Sequence, residues 1–126
     1  MQNITKVVLD AMGGDNAPYE IVKGAVNAVS SRSDVKVFLV GQESIVKEEL
    51  AKYSYPKDQI EVVHAEEVIE MAEPPVMAIR KKKKSSIVIG MKMVKEKEAD
   101  AFVSAGSSGA ILVGGQTIVG RINGIR

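Results

Sequence analysis

The stretch Val7-Val8-Leu9-Asp10-Ala11-Met12-Gly13-Gly14-Asp15 decides how this chain is read. Val7, Val8 and Leu9 form a short, β-branched-rich run, the pattern of a strand buried on both faces of a parallel sheet. The run is closed by Asp10, and two glycines follow at once. Asn16 and Pro18 then mark the entry to a helix, an acceptor followed by a first-turn proline. From Tyr19 to Ser31, the side chains of Ile21, Val22, Ala25, Val26 and Val29 fall on one stripe at helical spacing. The opening unit is therefore strand, glycine loop, helix.

Working outward, the same alternation continues. Val35 to Val40, Ile60 to Val63 and Ala101 to Ser104 read as three further short strands. Glu43 to Tyr53 reads as a helix, with Ile45, Val46 and Leu50 on its apolar side. Ser86 to Glu98 reads as another, with Ile87, Val88, Met91 and Val94. Ser107 to Val119 is apolar almost all round, which predicts deep burial. Gly114 and Gly115 weaken it as an isolated helix but allow another element to approach closely. Ser54 to Asp58 is a loop, and Glu70 to Pro75 is irregular. Pro74-Pro75 opens a short helix that ends in lysines. This alternation predicts an α/β fold, a parallel sheet flanked by helices with right-handed crossovers. Strand order is not legible from it, and no internal repeat is visible.

Composition bounds the function. The 126 residues suffice for one domain with a single core. Apolar residues make up 45% and charged residues 26%. That balance argues against disorder. No cysteine is present, so disulfides and thiolate chemistry are excluded. With a single histidine, neither a zinc centre nor any other metal site is expected. The net charge is +1 and aromatic residues make up 4%. Neither the field nor the stacking platforms of a nucleic-acid binder are there. No secretory signal and no span of about 18 apolar residues is seen, so the expected compartment is the cytoplasm.

A second glycine loop, Ser104-Ala105-Gly106-Ser107-Ser108-Gly109-Ala110, follows the fourth strand and opens the last helix. Ligands of open parallel sheets bind at the carboxyl ends of the strands, where both loops belong. Glycines let backbone N–H groups reach a ligand, and a helix N-terminus offers unpaired donors with a partial positive charge. Gly13, Gly14, Gly106 and Gly109, with the hydroxyls of Ser104, Ser107 and Ser108, are thus candidate anion-binding residues. Neither loop carries the lysine of a P-loop or the complete dinucleotide fingerprint. Each loop alone is equally a tight turn that caps a helix. Asp10 and Asp15 would repel an anion. Asp10 is read as fixing its turn through loop N–H groups; Asp15 either does the same or orients a substrate or cation.

At this point the residues resemble a known family. DAMGGDNAP, Asp10 to Pro18, is similar to the N-terminal signature of bacterial phosphate acyltransferase, the PlsX family. Val63-His64-Ala65, Glu67 to Glu70, Glu73-Pro74, Ala78 to Lys82, Ser85-Ser86, Ala99 to Ala101, the SAGSSGA loop, Ile118 to Ile122 and Gly124-Ile125 match in order. The resemblance implies a Rossmann-like fold akin to isocitrate and isopropylmalate dehydrogenases, a homodimer and peripheral membrane association. It implies formation of acyl-phosphate from acyl-[acyl carrier protein] and inorganic phosphate, in phospholipid synthesis, without a cofactor. The family loop usually reads SAGNTGA, so Ser107 and Ser108 stand for asparagine and threonine. The family also continues past Gly124-Ile125. Residues 1–126 are accordingly expected to be the N-terminal part of a single α/β catalytic domain, incomplete at the C-terminus.

The remaining candidates are charged. Arg80 to Lys84 places five cations in succession. Lys82 to Lys84 read as a solvated run, and Arg80 and Lys81, which match family positions, as contacts for phosphate or the acidic carrier. Asn16 belongs to the first loop's candidate set. His64 ends the third strand at the ligand edge, as a general acid or base or as a residue hydrogen-bonded to backbone. Glu66, Glu67 and Glu70 cap, pair with the lysines or are solvated. The six methionines read as core filler, with Met12 a candidate wall of an acyl groove. Two other functions remain open: a truncated, non-catalytic anion- or carrier-binding fragment, and a nucleotide-binding domain.

Overall fold

A computed structural model describes residues 3–70 and 72–120. Met71 and the matched residues Arg121, Ile122, Gly124 and Ile125 lie outside them. Strands β1 (Thr5–Asp10), β2 (Val35–Gly41), β3 (Ile60–His64) and β4 (Ala101–Val103) form one sheet. Its order is β3-β2-β1-β4 and every pairing is parallel. The helices are α1 (Tyr19–Ser31), α2 (Glu43–Leu50), α3 (Pro75–Lys81), α4 (Ser86–Lys95) and α5 (Ser108–Gly114). A 3₁₀ turn (Lys57–Gln59) leads into β3, and α5 runs on as a π-helical turn (Gly115–Val119). The sequence-predicted α/β architecture, a parallel sheet flanked by helices, is the observed one.

The period of two along β2 divides the core. Val37 and Leu39 face one side and join Val22, Ala25, Val26 and Val29 of α1 with Val46 and Leu50 of α2. Phe38 and Val40 face the other side and pack with Val8, Ala65, Met93 and Ala99. A third cluster joins α3, α4 and α5 through Ile79, Ile87, Val88, Met91 and Ala110. The path β1→β2→β3 moves one way with α1 and α2 on one face. It then reverses past β1 to β4 with α4 on the opposite face. Right-handed crossovers produce this arrangement. The reversal makes the gap between β1 and β4 the topological switch point, where open α/β sheets hold their ligands.

Several local expectations need correction. Pro18 is the residue before α1 rather than its first residue, and no side chain caps that end; the Asn16 carbonyl accepts from Glu20 N–H. The 17–18 peptide is cis. β4 is not buried on both faces: Val103 is 50% exposed, because β4 is an edge strand of the described sheet. Nor is the last helix buried all round. Ala110 and Gly114 face the core, whereas Leu112 is 64% exposed, since no described element covers that side. Of its two glycines, Gly114 meets Met91 and Ile79 closely and Gly115 meets nothing. α2 and α4 each end three residues early, α4 giving way at Lys97, which takes a left-handed φ of 63°.

Candidate active site

The site is built from the β1–β4 pairing. Leu9 lies opposite Val103, so the next residues in register are Asp10 and Ser104. Asp10 is buried at 1% exposure. A carboxylate so placed must be hydrogen-bonded. Its Oδ1 accepts from the N–H of Met12 at 3.0 Å and its Oδ2 from the Ser104 hydroxyl at 2.8 Å. Ser104 Oγ in turn accepts from Gly106 N–H at 3.0 Å. One carboxylate thus fixes its own turn and, through one hydroxyl, the turn that follows β4. This is the turn-fixing role the sequence suggested for Asp10, extended to the second loop.

The bracing brings the two glycine loops into contact. A Cβ on Gly13 would lie 2.7 Å from Asp10 Oδ2, 2.8 Å from Gly106 N and 2.9 Å from Ser104 Oγ. No side chain fits there. Gly14 takes φ +94°, and a Cβ on it would meet Ala105 at 3.2 Å. Here the glycine is needed for its conformation as well as its size. The close contact is therefore backbone on backbone. No hydrogen bond within the described residues engages the N–H groups of Gly13, Gly14 or Ser107. Ser108 and Gly109 begin α5, where N–H groups have no helical acceptor.

Each candidate can now be placed. Gly13, Gly14, Ser104, Gly106, Ser107 and Ser108 are brought together at the switch point. Within that group the serines differ. Ser104 is committed to the Asp10 brace. Ser107 is buried, and its Oγ accepts from Ala110 N–H at 3.2 Å. It therefore caps α5. Ser108 is exposed. Gly109 serves packing, because a Cβ there would strike Pro75 of α3. Asp15 and Asn16 are exposed just beyond Gly14. Met12 lies against Gly41 and the first core cluster, which makes it packing rather than a groove wall.

His64, Arg80 and Lys81 are not brought to the loops. His64 stands on β3, two strands away from β1. At ordinary strand spacing that is a separation of about 10 Å. Its Nδ1 accepts from Glu43 N–H at 3.2 Å, so the ring caps α2. That leaves Nε2 as the nitrogen able to donate. Arg80 and Lys81 sit at the end of α3 remote from the Pro75–Gly109 contact, and they line different cavities.

The lysine run is not uniformly solvated. Lys82 donates to the Val68 carbonyl and to Glu73 Oε2, each at 2.8 Å. That ammonium hydrogen bond, with the N–H of Glu70, holds the Glu73 carboxyl below its ordinary range. Lys84 pairs with Glu66 at 3.1 Å, and its N–H donates to Glu67. Glu66 thus pairs with a lysine, as the sequence allowed. Sequence reasoning took Lys83 as part of a solvated run and passed over Lys92; both line one cavity with Arg80. The only available signal was Val88 and Lys92 at i, i+4 on α4.

An open parallel sheet whose two glycine loops meet at the switch point defines an α/β protein of the ligand-crevice class. The comparisons agree. The family model described as "Fatty acid synthesis protein" matches residues 5–126, and the chain belongs to that family. Among similar proteins, the phosphate acyltransferase of Alkaliphilus oremlandii is 53% identical over 95% of this chain and 36% of its own length. Those of Syntrophomonas wolfei and Clostridium beijerinckii are 52% and 51% identical over 95% of the chain. They are covered to 38% and 36% of their lengths respectively. The chain therefore spans little more than a third of these relatives. Among the described residues, no helix is long and apolar enough to cross a membrane.

Proposed function

We propose that residues 1–126 are the N-terminal part of a single α/β catalytic domain that transfers an acyl group from acyl-[acyl carrier protein] to inorganic phosphate. The observation carrying this reading is the contact of Gly13 with Gly106 at the switch point, which leaves loop N–H groups unpaired on both sides. In this reading the amides of Gly13, Gly14, Ser107 and Ser108 hold phosphate, with the exposed Ser108 hydroxyl as a further donor. Asp10 lies beneath the loops with both carboxylate oxygens hydrogen-bonded, so in this reading it shapes the pocket through the turns it holds. A phosphate oxygen attacks the thioester carbonyl carbon, and the carrier thiolate leaves. Catalysis rests on positioning and on stabilising the oxyanion.

The names of the relatives support this reading, as does the ordered run of motifs along the chain. Homodimer formation, peripheral membrane association and a cytoplasmic site of action form part of the same proposal. The test is a chimera in which residues 1–126 precede the remaining two-thirds of the Alkaliphilus oremlandii relative. Acyl-phosphate formed from acyl-[acyl carrier protein] and phosphate is trapped with hydroxylamine. The chimera turns over, and Gly13→Ala in it does not. A folded but silent chimera beside an active parent contradicts the proposal.

A further inference from the structure

The basic run is split by its partners. Lys82 and Lys84 are neutralised by Glu73 and Glu66. Arg80 and Lys83 form no ion pair among the described residues, and neither does Lys92 of α4. These three cations line one surface cavity of about 200 Å³, together with Ile79, Val88 and Ile118. Ile79 and Val88 are buried and Ile118 is half-buried, so the floor is apolar. Among the described residues no acidic side chain lines it. Three like charges around an apolar floor repel one another and gain only when an anionic partner arrives.

Size and shape narrow the partner. Pockets that enclose whole small ligands run to roughly 300–1,000 Å³. This one is smaller and suits a single apolar side chain. Its apolar residues are recessed, whereas membrane insertion needs apolar groups that protrude. The site is joined to the proposed chemistry through α3. Pro75, at the start of α3, touches Gly109 of the second loop. Arg80 follows five residues later on the same helix, a rise of about 8 Å.

We infer that the groove of Ile79, Val88 and Ile118, ringed by Arg80, Lys83 and Lys92, docks an acidic protein helix that inserts one apolar side chain, the partner being the carrier of the transferred acyl group. This rests on the acyl-transfer reading above and adds to it where the carrier sits. Of the two contacts the sequence offered for Arg80, phosphate or carrier, it takes the carrier. An anionic bilayer and free phosphate are the competing occupants.

The test uses the 126-residue chain and fluorescently labelled acyl carrier protein from Alkaliphilus oremlandii, read by anisotropy at low salt. The triple variant Arg80→Glu, Lys83→Glu, Lys92→Glu is compared with Lys23→Glu, Lys95→Glu, Lys97→Glu, an equal charge change at exposed positions outside the groove. The groove variant is expected to lose roughly ten- to hundred-fold in affinity, an effect that shrinks as salt rises, while the control changes far less. Equal losses in both variants, or none in the groove variant, overturn the proposal. So does loss of binding to phosphatidylglycerol vesicles in place of the carrier. Thermal stabilisation by inorganic phosphate is measured in parallel. If it is absent while the carrier result holds, the phosphate pocket fails and the groove stands; the converse result leaves the pocket and removes the groove.

Discussion

Replacing Gly13 by alanine adds one methyl group at the point where the two loops touch. That methyl would lie under 3.0 Å from Asp10 Oδ2, Gly106 N and Ser104 Oγ at once. None of these is the free end of a flexible side chain. Asp10 is buried in the sheet, Gly106 N is backbone, and Ser104 Oγ bonds to both. Overpacking of this kind costs about 1–3 kcal/mol. If the loops part far enough to break the bond from Ser104 to the buried carboxylate, a further ~1.5–3 kcal/mol is lost. The expected destabilisation is therefore about 1–3 kcal/mol if that bond survives and about 2.5–6 kcal/mol if it breaks. Gly24→Ala is the internal control. Gly24 lies inside α1 with nothing within 4 Å of an added Cβ. There the same methyl should stabilise by about 0.5–1 kcal/mol. Urea denaturation followed by circular dichroism measures both. A Gly13→Ala cost below about 0.5 kcal/mol would refute the backbone-on-backbone contact, since a surface substitution does no more than that.

Three further outcomes are expected. Ser86 carries a buried hydroxyl with no partner among the described residues. Ser86→Ala should therefore raise stability by about 1 kcal/mol in the same urea assay. His64 caps α2 through Glu43 N–H. His64→Ala should cost about 1 kcal/mol through the lost cap and leave the phosphate affinity of the chain unchanged by calorimetry. Glu73, whose ordinary value is near 4.5, is held lower by Lys82 in the folded chain. Its contribution is therefore present above the unfolded value and lost as pH falls through the folded one. The loss of stability on going from neutral pH to acid should be smaller in Lys82→Met than in the unchanged chain, and an identical pH profile would remove the ion pair from the account.

The strand, loop and helix alternation was legible because buried parallel strands and amphipathic helices impose different apolar periods on the chain. Val37 to Val40 and the stripe from Val22 to Val29 carry those periods without ambiguity. Strand order was not legible, because nothing local tells β4 to pair with β1 rather than β3. That pairing alone makes Asp10 and Ser104 neighbours and turns two ordinary glycine turns into one crevice. The roles of single polar residues depended on it. Ser104 read as a free donor, yet its hydroxyl is consumed by Asp10. His64 read either as an acid or base at the ligand edge or as a residue hydrogen-bonded to backbone, and it is the second: it caps α2 from an outer strand. Lys82 to Lys84 read as a solvated stretch because sequence does not reveal which cations meet a glutamate. Helix ends were overestimated where no glycine or proline marks the stop, as in α4, whose charged residues Glu96 to Glu98 read as helical although Lys97 takes a left-handed φ of 63°.

Titration of the ¹⁵N-labelled chain with inorganic phosphate, followed by amide chemical shifts, tests the shared pocket most directly. The account predicts that the amides of Gly13, Gly14, Ser107 and Ser108 shift together along one binding curve, while Glu43 beside His64 and Lys81 to Lys84 stay still. Shifts confined to one loop, or centred on Arg80 to Lys84 with both glycine loops silent, would contradict it.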